Sequence, residues 1–167
     1  MRKNLEKVYR RHRQGLYTLS LSITRCAAPA EDAVHEAFER LWRSGARPQG
    51  DVVAYVFAAV RNAAIKQCRD RRRELTGQDP PESIYENREP DPASAAIAAE
   101  QSDAIRRAVE NLPDRQREVV VMKIHGGLRF AQIAEALAEP VPTITSRYRR
   151  ALERLRDQLK RQTQNGR

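Results

Sequence analysis

The stretch LPDRQREVVVMKIHGGLRFAQIAEALAEPVPTITSRYRRALERLR, Leu112 to Arg156, decides the fold. It reads as helix, turn, helix, tight turn and a basic helix, the layout of a helix-turn-helix that reads DNA. In the last helix Ile144, Tyr148, Ala151, Leu152, Leu155 and Leu159 fall on one stripe at helical spacing, and Thr145, Arg147, Arg150 and Arg154 lie off it. One face is expected to pack, leaving the other free to touch phosphates and base edges.

The rest of the chain agrees with a helical protein. Aromatic residues make up 5% of its 167 residues and charged ones 32%, and β-branched or aromatic runs at period two are nearly absent, so a large sheet is not expected. The fold class that follows is all-α. A net charge of +9 and a pI near 10.1 imply an anionic partner, for which nucleic acid is the first choice.

No apolar run approaches the roughly 18 residues that span a bilayer, and the N-terminal MRKNLEKVYRRHRQG leads into no signal-peptide core. A cytoplasmic protein without membrane insertion is expected. Cys26 and Cys68 lack metal-ligand spacing and read as reduced structural thiols, while His12, His35 and His125 are scattered. With no catalytic constellation or phosphate loop in view, no enzymatic activity, metal or cofactor is expected.

The charge is unevenly placed. Residues 1–73 carry sixteen Lys/Arg against seven Asp/Glu, residues 74–101 one against seven, and residues 102–167 fourteen against eight, giving +9, −6 and +6. The acidic segment ELTGQDPPESIYENREPDPAS, Glu74 to Ser94, holds four prolines and almost no apolar periodicity, the composition of a flexible linker. Two small helical domains, 1–73 and 95–167, are therefore expected on either side of it.

In the first domain, Leu5 to Thr24 reads as a helix with a break near Gly15. Pro29 marks a second break, after which Glu31 and Asp32 open a helix whose apolar face is Ala33, Val34, Ala37, Phe38, Leu41 and Trp42. SGARPQG, Ser44 to Gly50, is a loop. Asp51 then caps a third helix running to about Arg73, packed through Val52, Tyr55, Val56, Ala59, Val60, Ala63 and Ile65 and ending in a basic cluster.

With these strings in view the chain resembles the bacterial RNA polymerase sigma factors of the extracytoplasmic-function (ECF) type, of the sigma-70 superfamily. The N-terminal matches are AEDAVHEAFERLW (Ala30 to Trp42) and AYVFAAVRNAAIKQCRDRRRE (Ala54 to Glu74). The C-terminal ones are LPDRQREVV (Leu112 to Val120), GLRFAQIAEAL (Gly127 to Leu137) and TITSRYRRALERLR (Thr143 to Arg156). Together they cover nearly the whole chain apart from linker and tails.

The resemblance implies a region 2-like domain that binds core polymerase and the proximal promoter element, and a region 4-like domain that reads the distal element. Asp32, His35, Glu36, Glu39 and Arg40 would face the clamp helices of the polymerase β′ subunit. The loop 44–50 and the third helix would hold the unpaired strand, through Tyr55, Arg61, Asn62, Lys66, Arg69 and Arg72, with Phe57 a further aromatic candidate. Thr143, Thr145, Ser146, Arg147, Arg149, Arg150 and Arg154 would meet duplex DNA, where a bidentate Arg–guanine pair gives about 1–3 kcal/mol of discrimination.

Further expectations follow from the same resemblance: contact of the second domain with the β flap, an acidic linker lying in polymerase channels, and a cognate anti-sigma factor. The alternative is a stand-alone helix-turn-helix regulator, which leaves the N-terminal strings without a purpose. Four residues depart from the family pattern. Arg129 stands where a capping Ser or Thr is usual, Ala138 and Pro142 replace glycines in the turn, and Thr145 replaces a frequent Lys. Pro142 remains compatible with a helix start, since the N–H it lacks has no partner there.

Overall fold

The computed structural model describes residues 2–45, 48–74 and 95–165. Among the described residues the fold is all-helical, in two units. The first holds α1 (Arg2–Thr24), α2 (Ala27–Ser44) and α3 (Val52–Glu74), and the second α4 (Ala95–Glu110), α5 (Asp114–Ile124), α6 (Phe130–Leu137) and α7 (Val141–Asn165). The acidic linker expected over Glu74 to Ser94 lies outside the described residues except for Glu74, which ends α3.

The expected break at Gly15 does not occur, and α1 runs through it without interruption. A Cβ there would stand 2.6 Å from Cα of Gly126 and 2.7 Å from the carbonyl of His125, so the residue is small because another backbone passes against it. The helix keeps Leu5, Val8, Leu16 and Leu19 buried, which offsets the glycine's weak helix propensity. Tyr9, one position off that stripe, stays exposed.

The second helix starts earlier than Glu31. Arg25, in the left-handed region at φ 58°, turns the chain sharply, and extended Cys26 leads directly into α2 at Ala27. Pro29 sits inside the first turn, where the N–H it lacks has no helical partner, so it starts the helix rather than breaking it. Ala33, Val34, Ala37, Phe38 and Leu41 are buried as expected, but Trp42 is 46% exposed at the end of the stripe, edge-on to Phe38. The helix ends on Gly45 at φ 57°, a left-handed cap that glycine accepts without strain.

Asp51 caps α3 as its sequence position predicts. Its Oδ1 accepts from the N–H groups of Val53 and Ala54 at 2.8 and 3.1 Å. Along α3, Val56, Val60 and Ala63 are buried, Val52, Tyr55 and Ala59 are half-buried, and Ile65 is exposed.

The two units share one core. Leu5, Leu16, Phe57 and Val60 from the first belong to the same apolar cluster as Val119, Met122, Leu128, Ile133 and Ile144 from the second. The centre of this arrangement is α5, where six consecutive residues from Arg117 to Met122 are buried because α1 covers one side and α7 the other. A helix enclosed in this way needs no amphipathic stripe, and its sequence shows none.

The two charged side chains buried on α5, Arg117 and Glu118, have partners. Arg117 donates through Nε to the Ser22 carbonyl at 3.1 Å and through Nη1 to Leu112 and Glu110 carbonyls, so one guanidinium ties α1 to the α4–α5 turn. Arg25 reaches the same Glu110 carbonyl at 3.0 Å. Glu118 and Arg61 form an ion pair between the units, Nε to Oε2 at 2.7 Å, with side chains only 7% and 13% exposed.

Candidate nucleic-acid interface

The helix-turn-helix is α6 and α7. Its first helix lacks a hydroxyl or carboxylate cap, because Arg129 has only donors on its side chain. The Gln132 amide reaches back instead, accepting from the Arg129 N–H at 2.9 Å, and its Nε2 donates to Asp51 Oδ2 at 2.9 Å. The missing cap is thus half replaced from within the first turn, and the same side chain ties α6 to the start of α3.

Ala138, where glycine is common, adopts the left-handed conformation anyway at φ 52°. The Glu139 N–H bonds to the Ala134 carbonyl at 3.0 Å, closing the helix end, and the Pro140 carbonyl accepts from Thr143 and Ile144 to begin α7. Ile144 and Ala151 are fully buried, and Tyr148 packs edge-on to Phe130 with ring centroids 5.4 Å apart. Leu155 and Leu159 are half-buried, whereas Leu152, expected on the packing stripe, is exposed.

The opposite face of α7 carries the predicted DNA-binding residues. Thr143, Arg149, Arg150 and Arg154 are exposed, while Thr145, Ser146 and Arg147 are half-buried. The Thr145 hydroxyl is turned back to the Pro142 carbonyl at 3.0 Å. Thr143, Ser146, Arg147 and Arg150 line a surface groove with Arg115 and Gln116 of α5. Sequence reading missed those two, although both sit in the first turn of a predicted helix, where side chains project beside the helix that follows the turn.

Arg147 is not a free cation. Its Nη1 and Nη2 meet Glu139 Oε1 and Oε2 at 3.0 and 2.6 Å, and Arg115 approaches the same carboxylate at 3.9 Å. The hydrogen bond from Arg147 holds the Glu139 carboxyl below its ordinary range against the opposing effect of burial.

On α3 the predicted single-strand residues are divided. Asn62, Lys66, Arg69 and Arg72 are exposed, and Tyr55 is half-buried. Phe57 is a correction: it is fully buried, against Gly126 and edge-on to His12, and offers no face to a base. Arg61 faces Glu118 of α5, and the N–H of Asp51 donates to Glu135 Oε1 of α6 at 2.9 Å. The side of α3 expected to meet the unpaired strand is therefore partly occupied by the second unit.

The predicted polymerase face of α2 is exposed at Asp32, His35, Glu39 and Arg40. Glu36 is half-buried and accepts from Lys66 Nζ at 2.8 Å, from Arg40 at 2.5 Å and from Gln67 at 3.3 Å. The Lys66 hydrogen bond is the chief cause of a Glu36 carboxyl held below its usual range. A residue assigned to polymerase and one assigned to DNA are thus one ion pair joining α2 to α3.

Comparison with known proteins places these features. Residues 8–74 match the family model for Sigma-70 region 2, and residues 102–155 match that for Sigma-70, region 4. The ECF RNA polymerase sigma factor SigK of Mycobacterium ulcerans is 28% identical over 152 residues, spanning 86% of this chain and 79% of that protein. The ECF RNA polymerase sigma factor RpoE of Cereibacter sphaeroides is 28% identical over 138 residues, spanning 80% and 74%.

Among solved structures, the sigma factor RpoE from Bartonella quintana, crystallised with the anti-sigma factor NepR, shares the fold at a TM-score of 0.70. Its identity to this chain is 24%, with 95% of this chain and 98% of that one covered. With both regions matched in order over residues 8–74 and 102–155 and ECF sigma factors among its relatives, the chain belongs to the sigma-70 superfamily as an RNA polymerase sigma factor of the ECF type.

Proposed function

We propose that this sigma factor grips a promoter at two points, reading the distal element as duplex through α7 and holding the opened proximal strand along α3. As a sigma factor it directs promoter recognition and transcription initiation, and it is a DNA-binding initiation factor rather than an enzyme. The observation that carries the distal half of this reading is the divided surface of α7, with Ile144 and Ala151 buried and Arg149, Arg150 and Arg154 presented outward. Arginines on the open face of a packed helix suit phosphate and guanine contacts in a major groove.

Core RNA polymerase is the protein partner, through the mixed-charge face Asp32, His35, Glu39 and Arg40 on its β′ clamp helices and through the second unit on its β flap. Mixed charge suits a protein surface better than a polyanion. A cognate anti-sigma factor is a further partner in this reading, and a cytoplasmic site of action goes with it; among the described residues no helix is long and apolar enough to cross a membrane. A stand-alone regulator would leave this α2 face without a role.

Transcription from reconstituted holoenzyme tests the proposal. Core polymerase plus the chain should yield defined start sites that share two upstream sequence elements at fixed spacing, and core alone should not. Binding of the chain to DNA with no association with core polymerase would sink the reading.

A further inference from the structure

Glu139 is out of place on a surface built to meet DNA. It stands in the turn before α7, and a carboxylate there repels the phosphates that Arg115, Arg149, Arg150 and Arg154 would attract. Its backbone is fixed by the bond to the Ala134 carbonyl. Its side chain meets Arg147 in a two-bonded fork, Nη1–Oε1 3.0 Å and Nη2–Oε2 2.6 Å, with 23% and 20% of the two side chains exposed.

We propose that Glu139 is a positioning residue that sets base specificity by locking the Arg147 guanidinium against the mouth of α7. The inference rests on the entry of α7 into the major groove. An end-on fork uses one hydrogen on each Nη and leaves Nε–H and the outer hydrogens free to donate. A guanidinium held in this way loses its swivel before DNA arrives, so it favours acceptors placed as on the major-groove edge of guanine and penalises other pairs.

The charge pattern supports the same division of labour. Glu139 cancels much of the attraction that Arg147 and Arg115 would exert on any phosphate, so it lowers sequence-independent binding while leaving directional hydrogen bonds intact. A residue serving only as a phosphate clamp would gain nothing from such a neighbour. Discrimination gains from it, because the contact then depends on placement rather than on net charge.

The test uses the full chain with core polymerase and a pool of duplexes randomised over the upstream element, with the preference at each base pair measured for wild type, Arg147→Ala, Glu139→Ala and Glu139→Gln. Arg147→Ala should flatten the preference at one base pair by roughly tenfold. Both Glu139 variants should flatten that same base pair by roughly threefold or more. They should also raise affinity for unselected duplex and steepen the log–log salt dependence by up to about 0.9, one further phosphate contact.

A cooperative unfolding transition and wild-type helical circular dichroism in the isosteric Glu139→Gln separate positioning from loss of fold. Wild-type preference at the Arg147-dependent base pair in both Glu139 variants would overturn the proposal. A flat response to Arg147→Ala overturns it too, and Arg150→Ala then shows whether α7 reads bases at all: a preference lost there keeps the DNA reading, and none lost removes it.

Discussion

Replacing Glu118 with Ala should cost more stability than any change on the α7 surface. The carboxylate is paired with Arg61 at 2.7 Å in a nearly closed seam between α3 and α5. Removing one partner of a buried ion pair leaves the other charge desolvated, a loss of about 3–5 kcal/mol. Arg61 keeps slightly more exposure than Glu118 and a flexible stem to swing outward, which places the expected cost near the lower end, about 3 kcal/mol.

Urea denaturation followed by helical circular dichroism would register that loss as a midpoint about 1.5 M lower, for a slope of about 2 kcal/mol/M. The double variant Arg61→Met, Glu118→Leu should recover most of it, because a well-packed apolar pair replaces the charges without a stranded partner. A Glu118→Ala cost below about 1 kcal/mol would refute the reasoning. It would mean that the seam admits water and the units are not held by this pair.

Ala138→Gly should stabilise the chain by about 1 kcal/mol, seen as a higher thermal midpoint, since the residue already holds a left-handed φ of 52°. Charge reversal at Asp32 and Glu39, both exposed, should weaken binding to core polymerase at least about tenfold without moving the midpoint, read by competition against a labelled sigma factor. Acid should destabilise the fold through Glu36, Glu139 and Asp51. Lys66 and Arg147 hold the first two carboxyls low, and at Asp51 burial pushes upward but Gln132 and the capped N–H groups prevail.

Depressed carboxyls give stability that is complete above their ordinary range, near pH 4, and that disappears as pH falls through the lower folded-state values. Stability should therefore decline from about pH 4 downward, and Glu36→Gln should flatten that decline in a pH series of urea midpoints. An unchanged slope in the variant would remove Glu36 from the account.

Helical periodicity makes α2, α3 and α7 legible because each buries one stripe: Ala33, Ala37 and Leu41, then Val56, Val60 and Ala63, then Ile144 and Ala151 lie inside. The Asp51 cap was equally visible, since capping is decided within three residues. Local pattern failed where a distant segment set the requirement. Gly15 resembles a helix breaker until the backbone of Gly126 is seen against it, and Phe57 resembles an exposed aromatic until the second unit covers it.

The DNA-facing residues divide in the same way. Arg149, Arg150 and Arg154 follow from helical spacing, whereas the pairing of Arg147 with Glu139 and of Arg61 with Glu118 depends on contacts that no spacing rule contains. Pro29 misleads for another reason. A proline that ends one helix and a proline in the first turn of the next look alike in sequence, and only the left-handed Arg25 just before it distinguishes them.

The enclosure of α5 changes what the connection between the two regions has to do. Met122, Leu128 and Val119 from one side meet Phe57 and Leu16 from the other in a single core, so dividing the chain between regions 2 and 4 cuts across that core. Each half made alone would present a large apolar patch and tend to self-associate. Made together as two polypeptides they should complement one another, because the recognition surface is the interior itself; the covalent tether then supplies local concentration rather than cohesion.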